Sequence, residues 1–168
     1  MLILKNLEKA KRKMDVDKLR EQLAEDEGCK YEIYLDHLGL PTFGIGHLIT
    51  KDDPECNMEV GTVIEQSRVQ SAFNLDITVT IEDCHRLYKD FNELPDEVQL
   101  IIANMMFNLG YPRLSKFKGM KANVDARDWP GAADEMVDSK WYTQVPNRAR
   151  RLVERMRQVD GSQTVSKS

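Results

Sequence analysis

Several things are scarce in this 168-residue chain, and each scarcity excludes a class. Cysteine occurs three times (Cys29, Cys56, Cys84). An odd count with no C-x-x-C spacing argues against a disulfide framework and against zinc. The three read as reduced, mostly buried, small apolar residues. Glycine and proline are few, 9 and 6 residues, which excludes collagen-like and low-complexity chains. No run approaches the roughly 20 apolar residues that a membrane-spanning helix needs. The opening segment Met1-Leu-Ile-Leu-Lys-Asn-Leu-Glu-Lys9 has too short an apolar run for a secretory signal, and charge follows that run instead of leading it. No export signal is read, and no pattern calls for a metal or a cofactor.

What remains is an ordinary globular composition, 41% hydrophobic and 31% charged, at a length typical of a single domain. The net charge of −4 is unevenly spread. Residues 1–13 carry Lys5, Lys9, Lys11, Arg12 and Lys13 against Glu8. Residues 140–157 carry Lys140, Arg148, Arg150, Arg151, Arg155 and Arg157 against Glu154, so the body between them is strongly acidic. That argues against a nucleic-acid binder, which spreads Lys and Arg over a broad face.

Leu4, Leu7 and Ala10, then Leu19 and Leu23, recur at helical spacing, so residues 1–24 read as helix, with a second start at Asp15 or Asp17. Gly28 is placed to end it, leaving Asp26 and Glu27 in the last turn. Tyr31, Ile33 and Leu35 alternate, and Thr42-Phe-Gly-Ile-Gly-His-Leu-Ile49 reads as short strands. Residues 51–64 read as loop. Beyond Glu65 the pattern is helical: Val69, Phe73, Ile77, Ile81, Cys84, Tyr88 and Phe91 form one stripe, along one helix or two abutting ones. Pro95-Asp96-Glu97 opens a densely apolar helix closed by Gly110, and shorter helices are predicted near 113–122, 125–138 and 147–157. The class is α+β, mainly helical.

The informative segment runs from Asp26-Glu27-Gly28 through Tyr34-Leu-Asp36 to Thr42-Phe-Gly-Ile-Gly-His47-Leu48. One carboxylate ends a helix, a second follows nine residues later in an extended segment, and a threonine follows after six more. Glycoside cleavage requires two carboxyl groups, one neutral to protonate the leaving oxygen and one ionised to face water or the developing charge. With 28 acidic residues in the chain, spacing alone leaves open that Glu27 and Asp36 are plain surface acids.

The segment resembles the catalytic signature of the T-even phage-type lysozymes, glycoside hydrolase family 24: Asp-Glu-Gly, Tyr-x-Asp, Thr-x-Gly-x-Gly-His-Leu. The resemblance extends from roughly Val16 to Gly161 and returns in Asn104-Met-Met-Phe-Asn-Leu-Gly110, in Trp129-x-x-Ala-Ala133 and in Ser139-Lys-Trp-Tyr-x-Gln-x-Pro-Asn-Arg-Ala-Arg-Arg151. It implies a two-lobed, lysozyme-like fold with a cleft. Residues 1–16 would be a helical extension, about 17–65 a small β-containing N-terminal lobe, about 66–80 a linking helix, and about 81–161 a helical C-terminal lobe, with 162–168 a flexible tail.

The implied reaction is hydrolysis of the β-1,4 bond from N-acetylmuramic acid to N-acetylglucosamine in peptidoglycan, with inversion. Glu27 would be the acid, while Asp36 and Thr42 would hold the water. Leu48 and Phe107 match cleft-lining positions. Met120 and Glu135 stand at two further substrate positions, where the best-known family member has serine and asparagine, and Glu135 adds a charge that should repel an anionic polymer. Arg148 matches an arginine that lies against the acid, so burial on substrate binding must offset its pull on the proton. His47 would pair structurally with Asp76. The Met105/Met106 pair and Trp129, Trp141 and Tyr142 read as core. The other C-terminal arginines read as a solvated face, with Arg151 paired to Asp26.

The resemblance thus implies a monomeric muramidase acting on glycan strands, without nucleic acid, membrane insertion or cofactor, held in the bacterial cytoplasm until release to the wall. The alternative is a peptidoglycan-binding or virion-structural module of the same fold with weak or no turnover.

Overall fold

The structure, a computed structural model, describes residues 14–160. The helix expected over residues 1–13 and the tail expected after 161 lie outside the described residues. The fold is a mainly helical α+β arrangement with a three-stranded antiparallel sheet. The described residues divide into two compact units, Asp17–Glu82 and residues 83–160 with 14–16.

The first unit opens with helix α1, Val16–Glu27, whose Leu19 and Leu23 are fully buried four residues apart. Gly28 ends it at φ +70°, with its amide donating to the Ala24 carbonyl at 2.9 Å, a left-handed terminus that glycine adopts without strain. Strands β1 (Lys30–Leu35), β2 (Pro41–Gly44) and β3 (His47–Leu48) follow in order. Of the alternating trio only Ile33 is buried; Tyr31 and Leu35 are exposed. The β1–β2 register is irregular between Lys30 and Tyr34, then regular through Tyr34 and Leu35. The loop expected over 51–64 is turn-rich, yet its end pairs with β1 through Glu32 and Val63, and Ile33 exchanges backbone bonds with Gly61 and Thr62.

Helix α2 runs unbroken over Gln66–Leu87 and buries Val69, Phe73, Ile77 and Cys84. The apolar stripe therefore belongs to one helix, continued past its end by Tyr88 and by Phe91 in a short 3₁₀ turn, Phe91–Glu93. The division between units falls inside α2.

The second unit is built on α3, Asp96–Leu109, whose Val98 through Met106 are all buried. Acids in its first turn suit the positive end of the helix, and full burial of each large apolar side chain contributes about 1.5–3 kcal/mol. The helix predicted near 113–122 is two, α4 (Tyr111–Leu114) and α5 (Lys118–Asp125). The next, α6, begins only at Trp129 and runs to Val137. There Asp128 accepts from the Gly131 amide at 2.9 Å, after a left-handed Arg127 at φ +60°. A helix not foreseen, α7 (Lys140–Gln144), is capped by Ser139, and α8 spans Pro146–Arg157.

Two expectations need correction. Cys29 and Cys56 are exposed, and only Cys84 is buried. The first two sit in turns between elements, where nothing covers a small side chain; burial pushes the Cys84 thiol pKa up, further from a reactive thiolate. Of the arginines expected on a solvated face, Arg155 departs: it is half-buried and pairs with Glu97, whereas Arg157 is exposed and pairs with Asp134 at 2.8 Å.

Candidate active site

Glu27 is the last residue of α1, half-buried. Its carboxylate rests against Gly46, where the turn joining β2 to β3 passes at φ +64°. A Cβ on Gly46 would come within 2.7 Å of Glu27 Cδ, so a bare Cα is what admits the acid. The other glycine of the Gly-x-Gly pair serves packing: a Cβ on Gly44 would meet Val69 Cγ1 of α2 at 2.9 Å.

Asp36 follows β1 directly and is fixed by the turn into β2. Its Oδ1 accepts from the amides of Leu38 and Leu40, both at 2.9 Å. Oδ2 takes neither bond. Leu40 also anchors the threonine, because buried Thr42 donates Oγ1–H to the Leu40 carbonyl at 2.9 Å. One turn residue thus holds both side chains. Across the strands Thr42 pairs with Tyr34 on one side and Leu48 on the other, so the three share a sheet face. Leu48 is 45% exposed on that face, available to an apolar contact. Tyr34 is half-buried; burial first, then the Glu27 and Asp36 carboxylates and Cys29, push its phenol pKa up. Both carboxylates therefore lie within electrostatic reach of one tyrosine.

His47 and Asp76 are in contact, Nδ1 to Oδ2 at 2.6 Å. The rest of the network was not foreseen from the sequence. His47 Nε2 lies 3.0 Å from Asp53 Oδ2, and Arg68 bridges Asp53 to Glu55, with 2.8 Å bonds to both Glu55 oxygens. Asp53 also accepts from the Thr50 amide at 2.9 Å. Burial works against the His47 imidazolium, but the two flanking carboxylates outweigh it and raise the pKa above 6.5. Asp53, Glu55 and Arg68 come from a loop and a helix face with no periodicity to mark them. Only a surplus of acids in Asp52-Asp53-Pro54-Glu55 hints at a cationic partner.

In the second unit, Phe107 is half-buried on α3. Glu135 is exposed on α6, its carboxylate laid over the bare Cα of Gly119 in the first turn of α5. That turn has no side-chain cap, and a helix N-terminus attracts an anion. Arg148 is buried on α8, donating Nε to Asn104 Oδ1 at 2.8 Å. Met120 corrects the sequence reading. It is 1% exposed and lies with Val124, four residues on, on the buried face of α5, so its side chain is in the core and not at the surface in this structure. Trp129 and Trp141 are buried with the Met105/Met106 pair, and Tyr142 is half-buried. Among the described residues no helix is long and apolar enough to cross a membrane.

Comparison with known proteins accounts for most of the chain. The family model described as phage lysozyme matches residues 24–158. A probable T4-type lysozyme 2 of Dictyostelium discoideum is 33% identical over 157 residues, covering 82% of this chain and 92% of that protein. The pre-baseplate central spike protein Gp5 of Enterobacteria phage T4 is 28% identical over 80% of this chain and 26% of its own length. The peptidoglycan hydrolase gp36 of Pseudomonas phage phiKMV is 28% identical over 86% of this chain and 16% of its own length. The chain belongs to the phage lysozyme family, T4-type, and is a lysozyme-type glycoside hydrolase.

Proposed function

We propose that the chain hydrolyses the β-1,4 bond between N-acetylmuramic acid and N-acetylglucosamine in bacterial peptidoglycan, inverting the anomeric centre and lysing the wall. Glu27 protonates the leaving oxygen. Asp36 takes a proton from the attacking water, which Thr42 helps hold; an inverting pair leaves room for that water between its carboxyl groups. Leu48 and Phe107 supply apolar contact to sugar faces, and Glu135 meets the polymer's charge. The His47–Asp76 pair supports the fold of the first unit, and Arg148, bonded to Asn104, that of the second. The substrate assignment is also consistent with the name of the phiKMV relative, a peptidoglycan hydrolase. On this reading the enzyme works at the wall after release from the bacterial cytoplasm.

The observation that carries the reading is the anchoring of Asp36 and Thr42 to the same residue, Leu40, beside a tyrosine that feels both Asp36 and Glu27. Clearing of purified walls by the native chain and by Glu27→Gln tests it. The amide has no proton to donate, so the rate should fall by about two to four orders of magnitude. Retention of more than about a tenth of the activity removes Glu27 from the acid role. The new reducing end, followed by proton NMR, should appear first as the α-anomer, and a β-anomer refutes inversion.

The spike protein among the relatives favours a second reading, a virion-structural module that binds wall without cutting it. Wall pull-down without clearing would support that one.

A further inference from the structure

The geometry points to Tyr34 as a further water-positioning residue: its phenol O–H donates to the attacking water that Asp36 and Thr42 hold. This rests on the proposed hydrolysis and asks what that water still lacks.

A nucleophilic water has two protons and two lone pairs, and one lone pair must face the anomeric carbon. Toward that water an ionised Asp36 is only an acceptor. Thr42 is an acceptor as well, because its single hydroxyl proton is committed to the Leu40 carbonyl at 2.9 Å. Both water protons are thus provided for. The second lone pair has no donor from either residue, and a water left free to turn about it is poorly aimed.

Tyr34 meets that need on four counts. It stands directly across the β1–β2 ladder from Thr42, on the same sheet face, and two residues before Asp36. The Glu27 and Asp36 carboxylates both act on its phenol, whose raised pKa keeps the proton in place through any working range. Among the described residues its hydroxyl has no hydrogen-bond partner, although the ring is half-buried, and half-buried hydroxyls normally find one. The ring itself is held, with Lys30 Nζ 4.2 Å from its centroid. The side chain is fixed at its ring and open at its donor.

The test is steady-state kinetics of Tyr34→Phe on a soluble peptidoglycan oligomer, beside the native chain. Phenylalanine keeps the ring and its contact with Lys30, and thermal unfolding checks that the fold is retained. The expected result is a kcat about tenfold lower, the worth of one ordinary hydrogen bond, with KM within about twofold. The loss should be the same across the pH profile, since the phenol does not titrate there. Three results overturn the proposal: an unchanged kcat; a raised KM at native kcat, which makes Tyr34 a sugar contact; or a displaced limb of the profile, which makes it a modifier of the carboxylates. A native chain inert on walls overturns the hydrolase reading, and this inference with it. An active native chain with an equally active variant overturns this inference alone.

Discussion

The carboxylate of Glu27 and the bare Cα of Gly46 are in contact, the end of a helix resting on the turn between two strands. Alanine at Gly46 meets two obstacles, a φ of +64° and Glu27 Cδ at 2.7 Å from the new Cβ. The first costs about 1–2 kcal/mol at any residue so disposed. The second moves the acid. Gly39 separates the two effects, because it has φ +78° and open space around its Cβ direction. Gly46→Ala and Gly39→Ala should show similar falls in unfolding free energy from the backbone alone. Only Gly46→Ala should lose wall-clearing activity by more than its fraction unfolded. Equal activity in the two variants would mean that Glu27 yields without consequence.

His47 predicts a pH dependence with a definite sign. Its folded pKa is raised above 6.5, because Asp76 and Asp53 together overcome the burial that opposes the charge. The stabilisation is therefore fully present below the unfolded value and disappears as pH rises through the folded one. Asp53 works in the other direction: burial raises its pKa, but the Thr50 amide, His47 and Arg68 lower it further, below 3.8. Its contribution is present above the unfolded value and is lost as acid approaches the folded one. An NMR titration should place His47 above 6.5, and Asp53→Asn and Asp76→Asn should each bring it down. A His47 value below 6.5 in the native chain contradicts the double pairing.

Met120 tests its reassignment to the core. Met120→Ala should destabilise the protein by about 2–5 kcal/mol, the range for truncating a buried methionine. Assayed well below its melting temperature, the variant should keep native KM. A raised KM with unchanged stability restores the side chain to the substrate.

Glu135 lies where two effects oppose. Its carboxylate faces the uncapped first turn of α5 and so favours the helix, while its charge disfavours an anionic polymer. Glu135→Asn should lower the melting temperature slightly and raise activity on intact walls several-fold at low salt. The gain should vanish near 1 M salt, where the screening length is about 3 Å. Activity unchanged at every ionic strength shows that α5 already neutralises the charge, and removes Glu135 from substrate contact.

Much of this protein is written locally. The end of α1 at Gly28, the helix from Asp96 to Gly110 and the stripe along α2 follow from spacing, because burial of every third or fourth residue is a property of one segment. The turn from Asp36 to Thr42 is equally local, a set of bonds spanning four residues or fewer. The family resemblance named Glu27, Asp36 and Thr42 from their motif.

Tertiary structure decided what distance along the chain conceals. Nothing in the sequence says that His47 takes Asp53 as well as Asp76, or that Arg68 reaches back to Glu55. The resemblance set Met120 at a substrate position, and only the packing of α5 shows it buried. Of the alternating trio in β1 only Ile33 is buried, a choice the spacing alone does not make. In each case the deciding partner lies on another element. A side chain's charge state, burial or use is set by what packs against it, and the sequence records only the side chain.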